Sequence, residues 1–248
     1  MSYGLYAAAA GMDVQQARVD TLTNNLANTD TPGFQQDQVS ITSFPDYLSV
    51  IRLDGSNSAA LGTAAFGPLV AGSTTDTAPG PLKKTGVATD LALSGDGFFT
   101  VAGTGGQRLY TRDGSFTVDP GGYLATATGQ QVLGTSGPIP VDGTGFTVNA
   151  QGQVKVGNNT YNLALTSFSQ PGLLRKAGNN LYTAPTAAGA GPAAGTTVTQ
   201  GYLEGSNVDL IKEMVDIIDA ERTFESLQKV IQAQDGVMKQ SAQLGNPS

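Results

Sequence analysis

Cysteine, histidine and tryptophan are absent from the 248 residues, and charged side chains make up only 13% of them, about half the share usual for a soluble domain. Without cysteine there is neither a disulfide framework nor a thiolate nucleophile. Without histidine the usual general base and transition-metal ligand are missing. Basic residues are also scarce, 13 Lys and Arg against 20 Asp and Glu for a net charge of −7. This argues against a nucleic-acid partner, because neutralising phosphates needs clustered cations. Long apolar runs are lacking too: the stretch from Tyr3 to Met12 is far short of the roughly 20 residues that span a bilayer, so no direct membrane insertion is expected. No basic residue precedes Arg18 and Asp13 interrupts the apolar start, so a cleaved secretory signal is not expected either.

What is present is a heptad pattern at each end. Leu5, Met12, Val19 and Leu26 repeat at seven, with Ala8, Gln15 and Leu22 three residues after the first three, which predicts a helix over residues 1–28 with a coiled-coil stripe. Ala7 to Ala10 combine helix propensity with small volume, so a neighbouring helix could approach there. Asn24, Asn25 and Asn28 suit a helix end, and Thr31-Pro32-Gly33 forbids continuation. The segment through Phe34 therefore reads as a junction where the chain turns out of the helix, with Phe34 the first large apolar residue able to anchor it.

Leu210, Ile217, Phe224, Ile231 and Met238 give five consecutive apolar positions at a spacing of seven, widened by Ile211, Met214, Ile218, Leu227, Val230 and Val237. They predict a second helix over residues 208–240, with Asn207 as N-cap and Asp209 in its first turn. Neither stripe can bury itself alone. The expected assembly seam is thus Leu5, Met12, Val19 and Leu26 with Leu210, Ile217, Phe224, Ile231 and Met238.

Between the ends the pattern changes. Residues 29–86 mix Ser, Thr, Gly, Pro and Asp with short apolar pieces such as Tyr47 to Leu53 and read as an extended linker. Residues 87–200 show short alternating runs between turn residues, the mark of an antiparallel β domain. Asp96-Gly97-Phe98-Phe99-Thr100-Val101 recurs as Asp113-Gly114-Ser115-Phe116-Thr117-Val118, which reads as successive Asp-Gly hairpins. Ala187 to Gly195 is low in complexity and reads as a mobile loop. The fold class is α+β: an N-terminal core helix (1–28), a linker (29–86), a β domain (87–200) and a C-terminal core helix (201–248), the two helices pairing as a coiled-coil core.

Several stretches resemble chemical motifs without completing them. Asp96 and Asp113 lack the alternating ligands of a calcium loop. Gly103-Thr104-Gly105-Gly106 joins two predicted strands as a hairpin turn and opens no helix that could hold phosphate. Lys83-Lys84-Thr85 lacks the glycine spacing of a nucleotide loop. Glu213, Asp216, Asp219, Glu221 and Glu225 lie along one helix rather than across a cleft, and read as a solvated face. No catalytic, cofactor-binding or metal-binding residue is assigned, and the expected role is structural.

Three separated motifs carry a resemblance. Leu5 to Met12 with Asn24-Asn25-Leu26-Ala27-Asn28 and Thr31-Pro32-Gly33-Phe34, then Asp96 to Phe99 with Tyr110 to Phe116, then Gly201 to Asp209 resemble the signatures of the flagellar rod and hook axial proteins, in the family's order. The resemblance implies a tube of subunits with terminal helices inside and β domains outside. It implies partnership with copies of itself, other rod proteins and the flagellar type III export apparatus, and residence in the basal body after export without signal cleavage. The length points to a rod protein rather than a hook subunit; the compact middle and the short Leu133 to Ile139 stretch look closer to a proximal rod protein, while Tyr202 to Asp209 is equally at home in a distal one. A hook subunit is the alternative within the family. A secreted β-rich hydrolase would need carboxylates converging in a cleft, and a binding module would be a stable monomer.

Overall fold

A computed structural model describes residues 2–43, 67–141 and 145–244, and the apolar piece Tyr47 to Leu53 lies outside the described residues. The chain forms two compact units. The first comprises Met1–Asn24, Gln38–Ser73 and Ile211–Ser248. Its helices are α1 (Ser2–Ala27) and α2 (Leu210–Leu244), of 26 and 35 residues with no proline in either. At 1.5 Å per residue α2 is about 50 Å long.

The two helices meet through close contacts that run in opposite directions along them. A Cβ placed on Gly11 would lie 3.1 Å from Leu227 Cδ1, and one on Gly4 would lie 2.8 Å from Gln234 Nε2. Farther along, Arg18 Nη2 reaches Asp216 Oδ1 at 3.4 Å. Ala7 and Ala10 are also approached by the residue just before the strand Pro68–Thr75: a Cβ on Gly67 would sit 3.3 Å from Ala7 Cα.

The second unit comprises Asn25–Asp37 and Thr74–Leu210. At its centre is a six-stranded antiparallel sheet, in the order Arg175–Gly178, Leu181–Thr183, Arg108–Thr111, Gly97–Ala102, Leu165–Phe168, Ala190–Pro192. Side chains alternate across a strand, so consecutive residues serve different cores. Phe99 and Val101 join Leu91, Leu93, Phe116, Leu124, Val132, Ile139 and Val154 in the main cluster. Phe98 packs with Tyr110, Leu174 and Tyr182 in a second one. Edge-to-face ring pairs lock both, Phe99 with Phe116 at 5.0 Å and Phe98 with Phe168 at 5.6 Å.

Several expectations are corrected by this architecture. The region read as a linker contains the strands Asp37–Ser43, Pro68–Thr75 and Leu82–Lys84. The Gly103 to Gly106 turn does close a hairpin, with Ala102 opposite Arg108. The two Asp-Gly turns do not. Leu91–Ser94 pairs with Thr197–Gln200, and Phe116–Val118 with Leu124–Thr126, so each Asp-Gly marks a passage between sheets. The glycines are there for close approach: a Cβ on Gly114 would fall 1.6 Å from the Leu91 carbonyl oxygen. Ala187 to Gly195 is no free loop either, because Ala188 is fully buried and Ala190–Pro192 is an edge strand paired to Leu165–Phe168. On α2 the first turn begins at Leu210, two residues later than expected. Glu213 is fully buried and Asp216 faces Arg18, so these carboxylates are not all on a solvated face.

Candidate assembly site

The predicted seam is distributed unevenly. Leu5, Met12, Val19 and Leu26 are half-buried, as are Ile217, Phe224 and Ile231, whereas Leu210 and Met238 are 48% and 41% exposed. The most enclosed positions of α1 are Ala8, Gly11, Val14, Leu22 and Asn25, and those of α2 are Glu213 and Ala220. At Gly4 and Gly11 the missing side chains leave room for Gln234 and Leu227 of α2 to close on α1. Beyond the predicted seam, further apolar side chains of α2 are exposed: Ile211, Met214, Val215 and Ile218, then Val230 and Val237.

The predicted junction, apart from Asn24, belongs to the second unit. Asn25 is fully buried at the helix end, where its Nδ2 donates to the Asp37 carbonyl and its Oδ1 accepts from Asp37 N–H. Asn24 is exposed and Asn28 half-buried, and the Asn28 carbonyl accepts the Thr31 amide. Pro32 is half-buried and its carbonyl accepts from Asn180 Nδ2 at 3.1 Å. Gly33 has φ +64° and donates its amide to the Glu204 carbonyl at 2.8 Å. Phe34 is 5% exposed, with Lys176 Nζ 4.1 Å from its ring centroid. The segment docks on its own chain.

Around it the three sequence motifs converge. The Glu204 carboxylate, fully buried, receives Arg112 Nη1 at 3.2 Å and the Gly80 amide at 2.9 Å. Arg112, also fully buried, lies with its guanidinium carbon 5.1 Å from the Phe98 ring centroid. Asn207 ties three strands of chain: its Oδ1 accepts from Gln36 N–H, and its Nδ2 donates to the Asp76 and Ala78 carbonyls. It is therefore a cross-brace and not the N-cap of α2. Burial raises the Glu204 carboxyl above its ordinary range against the pull of Arg112. Burial also raises Asp113, opposed by the hydrogen bonds from Ser115. Removing either partner of the Arg112–Glu204 pair would strand a buried charge, at a cost of about 3–5 kcal/mol.

Sequence reasoning did not single out Arg112, Glu204 or Lys176, and it gave Asn207 only the role of a helix cap. A charged residue set among strand-forming and glycine residues, as in Thr111-Arg112-Asp113-Gly114 and Leu203-Glu204-Gly205, was the available signal for the first two. Lys176 offered none. Among the described residues no group of three or more Asp or Glu could hold a metal ion, and no helix is long and apolar enough to cross a membrane.

The helix pair of the first unit and the β unit with its buried Arg112–Glu204 pair make up the described architecture of this chain. Comparison with known proteins gives its kind. Residues 5–35 match the family described as flagella basal body rod protein, 92–156 the flagellar hook protein FlgE/F/G D1 domain, and 199–244 the flagellar basal body rod FlgEFG protein C-terminal region. The chain is 32% identical to the flagellar basal-body rod protein FlgG of Agrobacterium fabrum, over 92% of this chain and 94% of that one. It is 32% identical to FlgG of Bacillus subtilis over 98% and 99%, and 31% identical to the rod protein FlgF of Caulobacter vibrioides over 93% of both. The chain belongs to the flagellar basal-body rod protein family and is a structural subunit of the rod.

Proposed function

We propose that α1 and α2 pair antiparallel as the coiled-coil core of this subunit, and that the remaining apolar line of α2 joins neighbouring copies and other axial proteins into the torque-bearing tube. Leu5, Met12, Val19 and Leu26 with Ile217, Phe224 and Ile231 serve the intrachain seam, and Leu210 and Met238 extend it to neighbours. Asn24, Asn25, Asn28, Pro32, Gly33 and Phe34 form the junction that sets where the chain leaves the helical core, within a division into core helices (1–28, 201–248), connecting region (29–86) and β domain (87–200). Delivery is through the flagellar export apparatus without signal cleavage. The observation carrying this reading is the exposure of Ile211 (75%), Met214 (51%), Val215 (52%) and Ile218 (47%) on one helix, a contiguous apolar face of the kind that marks an interaction site. Ile211→Asp with Ile218→Asp is expected to leave the monomer folded and exported but to abolish rod assembly, read by electron microscopy of basal bodies and by motility. Full rods in that strain would refute the reading.

A further inference from the structure

Lys176 lies in the edge strand Arg175–Gly178, whose four residues are all exposed, yet its own side chain is only 27% exposed. The side chain leaves the sheet edge for the segment that follows α1. Its ammonium donates to the Gln35 carbonyl at 2.8 Å and to Asp37 Oδ2 at 2.8 Å, and lies over the Phe34 ring. A lysine ammonium has three donors and favours an aromatic face, so one charge holds three successive points of the chain: ring, carbonyl and carboxylate.

The carboxylate it holds has a second task. Asp37 opens the strand Asp37–Ser43, and its Oδ1 accepts from the Oγ1 of Thr75, the last residue of Pro68–Thr75. Among the described residues these two strands form a two-stranded sheet of their own, and a two-stranded ribbon is marginal in water. At its root the Asp76 amide donates to the Gln36 carbonyl at 2.8 Å, and the Asp37 amide to Asn25 Oδ1 at 3.0 Å. The outgoing strand, the returning strand and the helix end all meet at Asp37.

We propose that Lys176 is a positioning residue for this junction: an electrostatic clamp that fixes the root of the ribbon where the chain leaves α1, distinct from the buried Arg112–Glu204 knot. The inference deepens the junction reading and rests on it for its role in assembly. The clamp itself stands on the contacts. Lys176 is partly exposed and on a sheet edge, so its replacement leaves the two hydrophobic clusters untouched.

The test is amide hydrogen exchange on the full-length monomer for wild type, Lys176→Met and Lys176→Arg. The reporters are the amides of Gln36, Asp37 and Asp76, and those of Phe99 and Val101 serve as references in the sheet. Lys176→Met is expected to speed exchange at the three reporters by about tenfold or more without changing the references, because only the local opening becomes easier. Lys176→Arg, which keeps charge, donors and ring contact, is expected to restore most of the protection. Unchanged reporters in Lys176→Met would overturn the clamp, as would equal acceleration at Phe99 and Val101, which is the mark of general destabilisation. Swimming of the Lys176→Met strain separates the two levels: loosened reporters with normal motility uphold the clamp and refute the assembly role of the junction.

Discussion

Gly33 shows most sharply what a single residue decides in this chain. Its φ of +64° is one that side chains resist, and a Cβ there would come within 2.3 Å of the Asp113 nitrogen and 2.4 Å of the Arg112 carbonyl carbon, both rigid backbone. Gly33→Val is therefore expected to destabilise the second unit by at least about 3 kcal/mol, measured by urea denaturation of the purified chain. Asp113 provides a test that depends on pH. Its folded pKa is raised chiefly by burial, so the native state binds a proton more tightly than the unfolded chain. Stability is then fullest below the unfolded value near 3.8 and is lost as pH rises through the folded value. Asp113→Asn keeps an oxygen to accept the Ser115 amide, now supplied to Asp113 Oδ1 at 2.9 Å, and never ionises. The variant is expected to melt higher than wild type at pH 7, by about 2–4 °C for each kcal/mol recovered, with the gap closing toward pH 4. A gap that widens on acidification in thermal scans would contradict the assignment.

Among the elements, α1 and α2 carry the clearest consequence. Gly11 lies against the flexible end of Leu227 rather than against backbone, so the smallest added group can be accommodated and a large one cannot. Gly11→Ala is expected to be neutral or mildly stabilising, since alanine gains up to about 1 kcal/mol of helix propensity over glycine. Gly11→Leu is expected to cost about 1–3 kcal/mol by overpacking and to lower the helical signal in far-ultraviolet circular dichroism. Equal behaviour of the two variants would mean that the helices do not pack at this point.

For the whole molecule, the distribution of burial sets the order of opening. The main β cluster is built from residues such as Leu91, Leu93, Phe99, Val101 and Val154, each with no exposed surface. By contrast, residues 235–240 of α2 are all exposed, and a long helix draws most of its stability from tertiary contacts. In the unassembled chain, amides beyond Gln234 are expected to exchange orders of magnitude faster than those of Phe99 and Val101, and to become protected on incorporation into rods. Slow exchange along the whole of α2 in a proven monomer would show that the helix needs no partner.

The sequence alone determined the features that depend on short-range periodicity and on which residue types are missing. Heptad spacing gave both helices to within two residues at their predicted boundaries, except that α2 runs on to Leu244. The asparagines with Pro32 and Gly33 marked where α1 stops. The absence of cysteine and histidine narrowed the chemistry. Tertiary structure decided what lies far apart in the chain. Gly33 and Glu204 are 171 residues apart, and no local pattern could say that one donates to the other. The repeated Asp-Gly-x-Phe pieces look alike locally, yet they cross between sheets because Gly97 and Gly114 let other segments approach too closely for a side chain. Lys176 reads as one more surface lysine until the fold brings Phe34, Gln35 and Asp37 beneath its ammonium. The physical reason is the same in each case: secondary structure answers to neighbours three or four residues away, whereas burial, ion pairing and close approach depend on which distant segments the whole fold brings into contact.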